Sequence, residues 1–365
     1  MREPLRPEIA ATIAAIAPLD AAAMAAARAR QEQLTKPAGS LGRLETLAIQ
    51  IAGITGQEQP TLGEKAIVVM AGDHGVTAEG VSAYPAEVTP QMVLNFLRGG
   101  AAINALAGVI GARVVVVDIG VAGELAHPGL LARKISSGTA NMAQGPAMTR
   151  AQAQDAIAVG IAVVSALADE GAQIVAPGEM GIGNTTAASA ITAVLTGSAP
   201  DVVTGRGTGI DDAQLAHKVA VIERALAVNS PSPDDALDTL AKVGGLEIAG
   251  LAGVILGAAA RRMPVVLDGF IAGSAALVAE KLCPAVRDYL IAGHLSVERG
   301  HRVLLDALGL EPLLNLDLRL GEGTGAALAI GIIEAALAAH RQMATFAEAG
   351  VSEREDEAVE GSNGE

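Results

Sequence analysis

Five short runs are apolar on both of their faces, without the alternation of a half-exposed strand: AIVVMA (66–71), ARVVVVDI (112–119), AQIVAP (172–177), PVVLDG (264–269) and DYLIAG (288–293). Such strands need cover on both sides, which crossover helices supply in a parallel sheet. Segments with helical spacing fall between most of the runs, around 89–110, 149–170, 211–228 and 246–261. Strand and helix in this alternation predict a three-layer α/β/α domain with a mostly parallel, Rossmann-like sheet.

The two ends of the chain read differently. Residues 8–30 are Ala-rich and predict two helices broken at Pro18. A third helix after KPAGSLG carries Leu44, Leu47, Ala48 and Ile51 at helical spacing, and GAALAIGIIEAALAAHRQM (325–343) has the same small-residue texture. The expected organisation is therefore a small helical lobe from residues 1–60 with 325–350, and a large α/β domain over 61–324 that carries the site. Residues 351–365 are acidic without a buriable face and are expected to be a disordered tail.

Composition removes several function classes. With no Trp, two Tyr, three Phe and 43 Gly, elements must meet through small side chains, and no aromatic platform for single-stranded nucleic acid is available. A net charge of -15 opposes phosphate-backbone binding in general. The lone Cys283 cannot form an internal disulfide and fits a reducing, cytoplasmic setting. The start MREPLRPEIA lacks the apolar stretch of a secretion signal. No apolar run free of charges and turn breakers reaches the roughly 18 residues of a membrane span, so none is expected.

In an open parallel sheet, ligands bind beyond the carboxyl ends of the strands, so the segments that follow each run matter most. They are AGDHGVTAEGVSAYPAEVTPQM (71–92), GEMGIGNTT (178–186), FIAGSAAL after 269, and HLSVERGH after 293. LLNLDLRL, near the last strand, runs into GEGTGAAL (321–328), and VTGRGTGIDD (203–212) leads into a helix with Lys218. Glycines and small hydroxyl residues before a helix offer exposed N–H groups to an anion. Gly181, Gly183, Asn184 and Thr185 fit one half of a phosphate cradle, and Gly207, Thr208, Gly209 and Lys218 another. The plain alternative, glycines serving only tight turns and close packing, has about even weight for either loop alone.

The kind of phosphate is open at this point. There is no GxxxxGK[ST], and GRGTG is neither GxGxxG nor placed in the first strand–helix unit, which weakens P-loop nucleotidase and dinucleotide oxidoreductase readings. A catalytically silent nucleotide-binding protein stays possible. His74, His294 and His301 lack the carboxylate or cysteine spacing of a closed metal site, and hydrogen bonding within their loops is the favoured role. No metal and no cofactor is expected. Glu179 and Glu322 are different, because a glutamate held among glycines at the mouth of a sheet is poorly explained by packing. Partial burial would raise its pKa toward neutrality, as a general base requires; a carboxylate stabilised by a helix start is the competing role.

Taken jointly, KPAGSLGRLE (36–45), AGDHGV with EGVSAYPAEVTPQM, GEMGIGNTT, GRGTGIDD, GGLEIAGLAG (244–253), LDGFIAGSAAL (267–277), AGHLSVERGH and LRLGEGTGAAL make the chain resemble the nicotinate-nucleotide:dimethylbenzimidazole phosphoribosyltransferase family of cobalamin nucleotide-loop assembly. The matching stretches run in one order from about residue 34 to 343. The resemblance implies transfer of phosphoribose from nicotinate mononucleotide to a benzimidazole nitrogen, in a homodimer. It implies Glu322 as general base and Glu179 as a second active-site carboxylate. It places the phosphate at Gly181, Gly207 to Ile210 and Lys218, and the base against Ser82 to Gln91, with Ser82, Tyr84 and above all Gln91 in contact. Asn315 stands where an acidic residue is expected, and the acidic tail has no counterpart.

Overall fold

The computed structural model describes residues 4–352, so all but the first two residues of the acidic tail lie outside the described residues. Six parallel strands form one sheet: β1 (Glu64–Gly72), β2 (Ala112–Gly120), β3 (Leu130–Ala132), β4 (Ala172–Met180), β5 (Val265–Leu267) and β6 (Leu290–Ala292). Their order is β3-β2-β1-β4-β5-β6. β1 is central, with Val68 opposite Val115 on one side and Pro177 on the other. The chain winds outward from β1 through β2 to β3, and from β4 through β5 to β6. The crevice between the carboxyl ends of β1 and β4 is thus the switch point of a doubly wound sheet.

Fifteen α-helices are described besides the strands. The first nine are α1 (Pro7–Ala15), α2 (Ala21–Gln33), α3 (Arg43–Thr55), α4 (Val88–Leu97), α5 (Ala102–Val109), α6 (Arg150–Asp169), α7 (Asn184–Thr196), α8 (Pro200–Val203) and α9 (Asp212–Asn229). α10 (Ala236–Val243), α11 (Leu246–Ala260), α12 (Phe270–Leu282), α13 (Arg299–Leu308), α14 (Thr324–Gln342) and α15 (Phe346–Ala349) follow. AIVVMA, ARVVVVDI and AQIVAP lie wholly on strands, as their patterning predicts, and PVVLDG and DYLIAG each contribute a three-residue strand. β3 carried no signal because three residues, LLA, are too few for one. LLNLDLRL, hydrophobic enough to suggest pairing, contributes only a single bridge from Leu314 to His294, and Leu316 and Leu320 are exposed.

The chain divides into two compact units. Among the described residues the larger holds the segment ending at Leu19 and Leu62–Ile332, and the smaller holds Asp20–Thr61 and the segment from Ile333 onward. Residues up to 19 were expected in the helical lobe. Arg6 explains the difference: its amide donates to Gln154 Oε1 at 2.7 Å, and its guanidinium pairs with Asp155, both on α6. The start of α14 likewise belongs to the larger unit, through bonds to Asp268 described below. In the smaller unit, Lys36 of KPAGSLG pairs with Glu45 at 2.8 Å, and Glu45 Oε1 also accepts from Leu41 N–H at 3.0 Å.

The shortage of aromatics is met as composition predicts. α11 is buried along nearly its whole length and is apolar all round. It crosses α6 with almost no side chain between the backbones: a Cβ on Gly160 would overlap the Gly250 carbonyl and stand 2.7 Å from Val254 N. Gly160→Ala is therefore expected to destabilise the protein by about 1–3 kcal/mol through overpacking, despite a helix-propensity gain of up to about 1 kcal/mol. Gly108→Ala, on an exposed face of α5 with open space around its Cβ, is the control and should be neutral or mildly stabilising. Urea midpoints of the two variants check this; equal shifts would mean that α6 can move away at no cost.

By length and composition alone, two described segments would suffice to cross a membrane, Val88–Val109 and Arg150–Asp169, against the expectation of none. The first is broken between α4 and α5, and half of the second is buried in the fold.

Candidate active site

Beyond the carboxyl ends of the strands lies a cleft of about 490 Å³. Its walls come from Glu179–Thr185 after β4, Asp268–Ala272 after β5, Ser296 and Glu298 after β6, and Arg319–Glu322 before α14. Gly207 and Thr208 close one side, and Tyr84, Val88 and Met92 another.

Both glutamates singled out from sequence are on this wall and largely buried, at 7% and 6% exposure for Glu179 and Glu322. Glu179 is the penultimate residue of β4, and its carboxylate accepts a bond from Asn184 Nδ2 at the start of α7. Burial, then the charges of Asp268 and Glu247, push its pKa up to about 8, against the pull of the Asn184 bond. Glu322 Oε2 accepts the Ile103 N–H at the start of α5, at 3.2 Å. Burial and Asp268 raise its pKa, and the Ile103 amide opposes the rise. Glu322 therefore combines the two roles left open by sequence, accepting a helix-start amide while its pKa is raised, whereas Glu179 has the raised pKa and a side-chain partner.

The backbone beneath Glu322 is unusual. Its φ is +65°, between Gly321 at +86° and Gly323 at +94°. A left-handed conformation costs a non-glycine residue on the order of 1–3 kcal/mol and persists only where its surroundings enforce it. Close approach does so here. A Cβ on Gly178 would run into the Glu322 carbonyl, and one on Gly321 into the Glu179 carboxylate. Glycine at these positions lets two carboxylates from distant parts of the chain share one wall.

Around the expected phosphate cradle, Gly181, Gly183, Asn184, Thr185, Gly207 and Thr208 line the cleft, whereas Gly209, Ile210 and Lys218 do not. Lys218 is 1% exposed and lies behind the wall, with Nζ donating to Thr185 Oγ1 at 2.8 Å. Burial lowers its pKa to about 8, although the charge of Glu298 supports its protonated form. Ile210 is buried, and its carbonyl accepts from Arg206 Nη1 at 2.7 Å. The Gly207 N–H is already engaged by Glu298 Oε1, at 2.9 Å.

Of the expected base contacts, Tyr84 lines the cleft, 55% exposed. Ser82 lies beside it with Oγ 3.3 Å from Thr208 Oγ1. Gln91 is exposed and off the wall, its place taken by the apolar Val88 and Met92 on the same helix. Val88 and Met92, four apart on α4, share the face that lines the cleft.

A family model described as phosphoribosyltransferase matches residues 16–351. The chain belongs to this phosphoribosyltransferase family. It is 64% identical over 346 residues to the nicotinate-nucleotide--dimethylbenzimidazole phosphoribosyltransferase of Chloroflexus aggregans, an alignment covering 94% of this chain and 98% of that one. It is 59% identical over 347 residues to the protein of the same name from Desulforudis audaxviator, covering 95% and 98%. The crystal structure of CobT from Thermus thermophilus is similar with a TM-score of 0.88 at 53% identity, over 91% of this chain and 99% of that one.

Sequence reasoning about the phosphoribosyltransferase missed Asp268, Phe270, Ser296, Glu298 and Arg319, all on the cleft wall. The signal was present, since Asp268 directly follows β5, and Ser296 and Glu298 follow β6. They were passed over because no glycine run surrounds them. Two of the three histidines, His74 and His301, make side-chain hydrogen bonds. His74 Nε2 lies 2.7 Å from Glu247 Oε1 in a buried pair, and His301 Nδ1 accepts the Ser296 N–H at 2.8 Å. Burial works to lower the His74 pKa, but the charge and hydrogen bond of Glu247, with the charge of Asp73, raise it on balance.

Proposed function

We propose that this phosphoribosyltransferase moves the 5-phosphoribosyl group of nicotinate mononucleotide onto 5,6-dimethylbenzimidazole, giving α-ribazole 5′-phosphate and nicotinate. The observation that carries the reading is the pairing of two buried carboxylates, Glu179 and Glu322, on one wall of a cleft whose remaining lining combines glycines and apolar side chains with polar groups that include Asp268 and Glu298. The similarity to enzymes of that name supports the choice of substrates.

The chemistry needs little else. The donor's pyridinium nitrogen leaves as a neutral ring, so no acid is required at the leaving group. One benzimidazole nitrogen attacks C1′ on the face opposite the departing ring, which inverts that carbon. The proton on the other nitrogen passes to the Glu322 carboxylate, whose raised pKa suits it to the task. Glu179 faces the ribose and stabilises positive charge that develops there. A cation in the cleft favours the ionised form of Glu179 over the protonated form favoured by burial. Asn184, already bonded to it, acts in the same direction.

The phosphate lies against the glycine-lined start of α7 and the Gly207 loop, with Lys218 supplying charge through Thr185 from behind. The apolar side of the cleft, Val88, Met92 and Leu320, takes the flat base. The same reading makes the enzyme a cytoplasmic homodimer, in keeping with its lone cysteine and its small-residue helices.

Incubating the purified protein with nicotinate mononucleotide and a panel of aromatic bases tests the proposal. The expected product is a base ribotide of α configuration, read from mass and proton coupling at C1′, with dimethylbenzimidazole among the accepted bases. A β-linked product, or nicotinate release that does not depend on an acceptor, would sink it.

A further inference from the structure

Asp268 is the carboxylate that sequence reasoning passed over, and its contacts set it apart from both glutamates. It follows β5, is 2% exposed and lines the cleft. Its carboxylate oxygens bond almost entirely to the beginning of α14. Oδ1 accepts from Gly325 N–H at 2.7 Å and Ala326 N–H at 3.1 Å, and Oδ2 accepts from Gly323 N–H at 3.2 Å. His294 Nε2 stands behind it, 3.6 Å from Oδ1. These are donors that an α-helix leaves without intrahelical partners, and here a distant strand supplies the acceptor. Gly323 is also the residue after Glu322, in the segment whose left-handed backbone must be held by its surroundings.

We propose that Asp268 is a positioning residue for the transfer reaction, clamping the start of α14 so that the Glu322 side chain stays in the cleft. The inference rests on the reading of Glu322 as proton acceptor. The clamp is rigid because three charge-assisted bonds share one carboxylate. Its charge also has a consequence. The charged group acting on Glu322 is Asp268 from the β5 end; the Glu179 carboxylate of β4 lies against the neighbouring Gly321, and the Ile103 amide of α5 meets Glu322 from the other side. Asp268 disfavours ionisation of Glu322, so removing its charge moves the acid limb of the rate profile to lower pH.

The test is a double-mutant cycle on the full chain with Asp268→Asn and Glu322→Gln, read as kcat, KM and pH profile. Asp268→Ser is made in parallel because serine caps a helix start without charge. The expected result for either change at 268 is a loss in kcat of about 10- to 100-fold with little change in nucleotide KM. The acid limb should shift downward, and in the Glu322→Gln background the same change should cost almost nothing further. A full multiplicative loss in that background, a loss confined to KM, or an unmoved acid limb overturns the inference. If Glu322→Gln itself leaves turnover intact, the reading of Glu322 fails first, and the cycle shows that separately.

Discussion

Glu322→Gln is expected to turn over at about one hundredth of the parent rate or less, the scale of a positioned general base. The substitution is close to isosteric, and the glutamine oxygen can still accept the Ile103 N–H that Glu322 Oε2 accepts at 3.2 Å. The fold and the cleft should therefore survive, and thermal unfolding should show it. On the proposed mechanism, what is lost is the capacity to take a proton from the acceptor heterocycle. Nucleotide affinity measured by calorimetry should stay within about threefold, because the group acts in the transition state more than in the ground state. The part of the acid limb of kcat that Glu322 causes should vanish with the titrating group. Unchanged turnover would remove Glu322 from the reaction, and a parallel collapse of affinity would make it a binding residue.

The second large effect is on stability and depends on pH. Glu179 has its pKa raised from the ordinary carboxylate value of 4.5 to about 8, first by burial and then by Asp268 and Glu247. The folded chain therefore binds this proton more tightly than the unfolded chain. The resulting stability is fully present below the unfolded pKa and is lost as pH climbs through the folded one, a window from roughly 4.5 to 8. Lys218 works in a different window. Its pKa falls from 10.5 to about 8, so its share of stability is regained between those values as the lysine loses its proton in the unfolded chain too.

Other groups titrate as well, so the useful quantity is the difference between the parent and Glu179→Gln. That difference in unfolding free energy should fall by a few kcal/mol between pH 5 and 8, since each unit of linked shift is worth about 1.4 kcal/mol. Denaturant titrations at several pH values measure it. A difference that does not vary with pH would mean that Glu179 stays ionised in the fold throughout.

Much of this architecture is legible in the sequence because the sheet is parallel and covered on both faces. Two-faced runs such as ARVVVVDI have few other places to go, and β2 duly forms over them. The helix that GEMGIGNTT runs into begins within it, at Asn184, where the glycines end. Less legible is anything decided by three-dimensional competition for a surface. LLNLDLRL has the composition of a strand, but the sheet ends at β6 and offers it only one bridge. Residues up to 19 have the same texture as α2, and it takes Arg6 bonding to α6 to assign them elsewhere.

The site divides in the same manner. Glu179 and Glu322 stand out because glycines surround them. Asp268 sits in an ordinary strand-to-helix junction, and its partners lie more than fifty positions along the chain. Lys218 is legible as a cation near a glycine loop, yet only coordinates reveal that Thr185 stands between it and the cleft.

The left-handed backbone at Glu322 has a consequence for how such a chain can evolve. Selection for stability alone has a simple answer at that position, which is glycine, the residue used immediately before and after it. Keeping a side chain there means that the protein carries a permanent local penalty for the sake of one carboxylate. Directed evolution for heat resistance, run without a demand for turnover, would be drawn toward erasing that side chain.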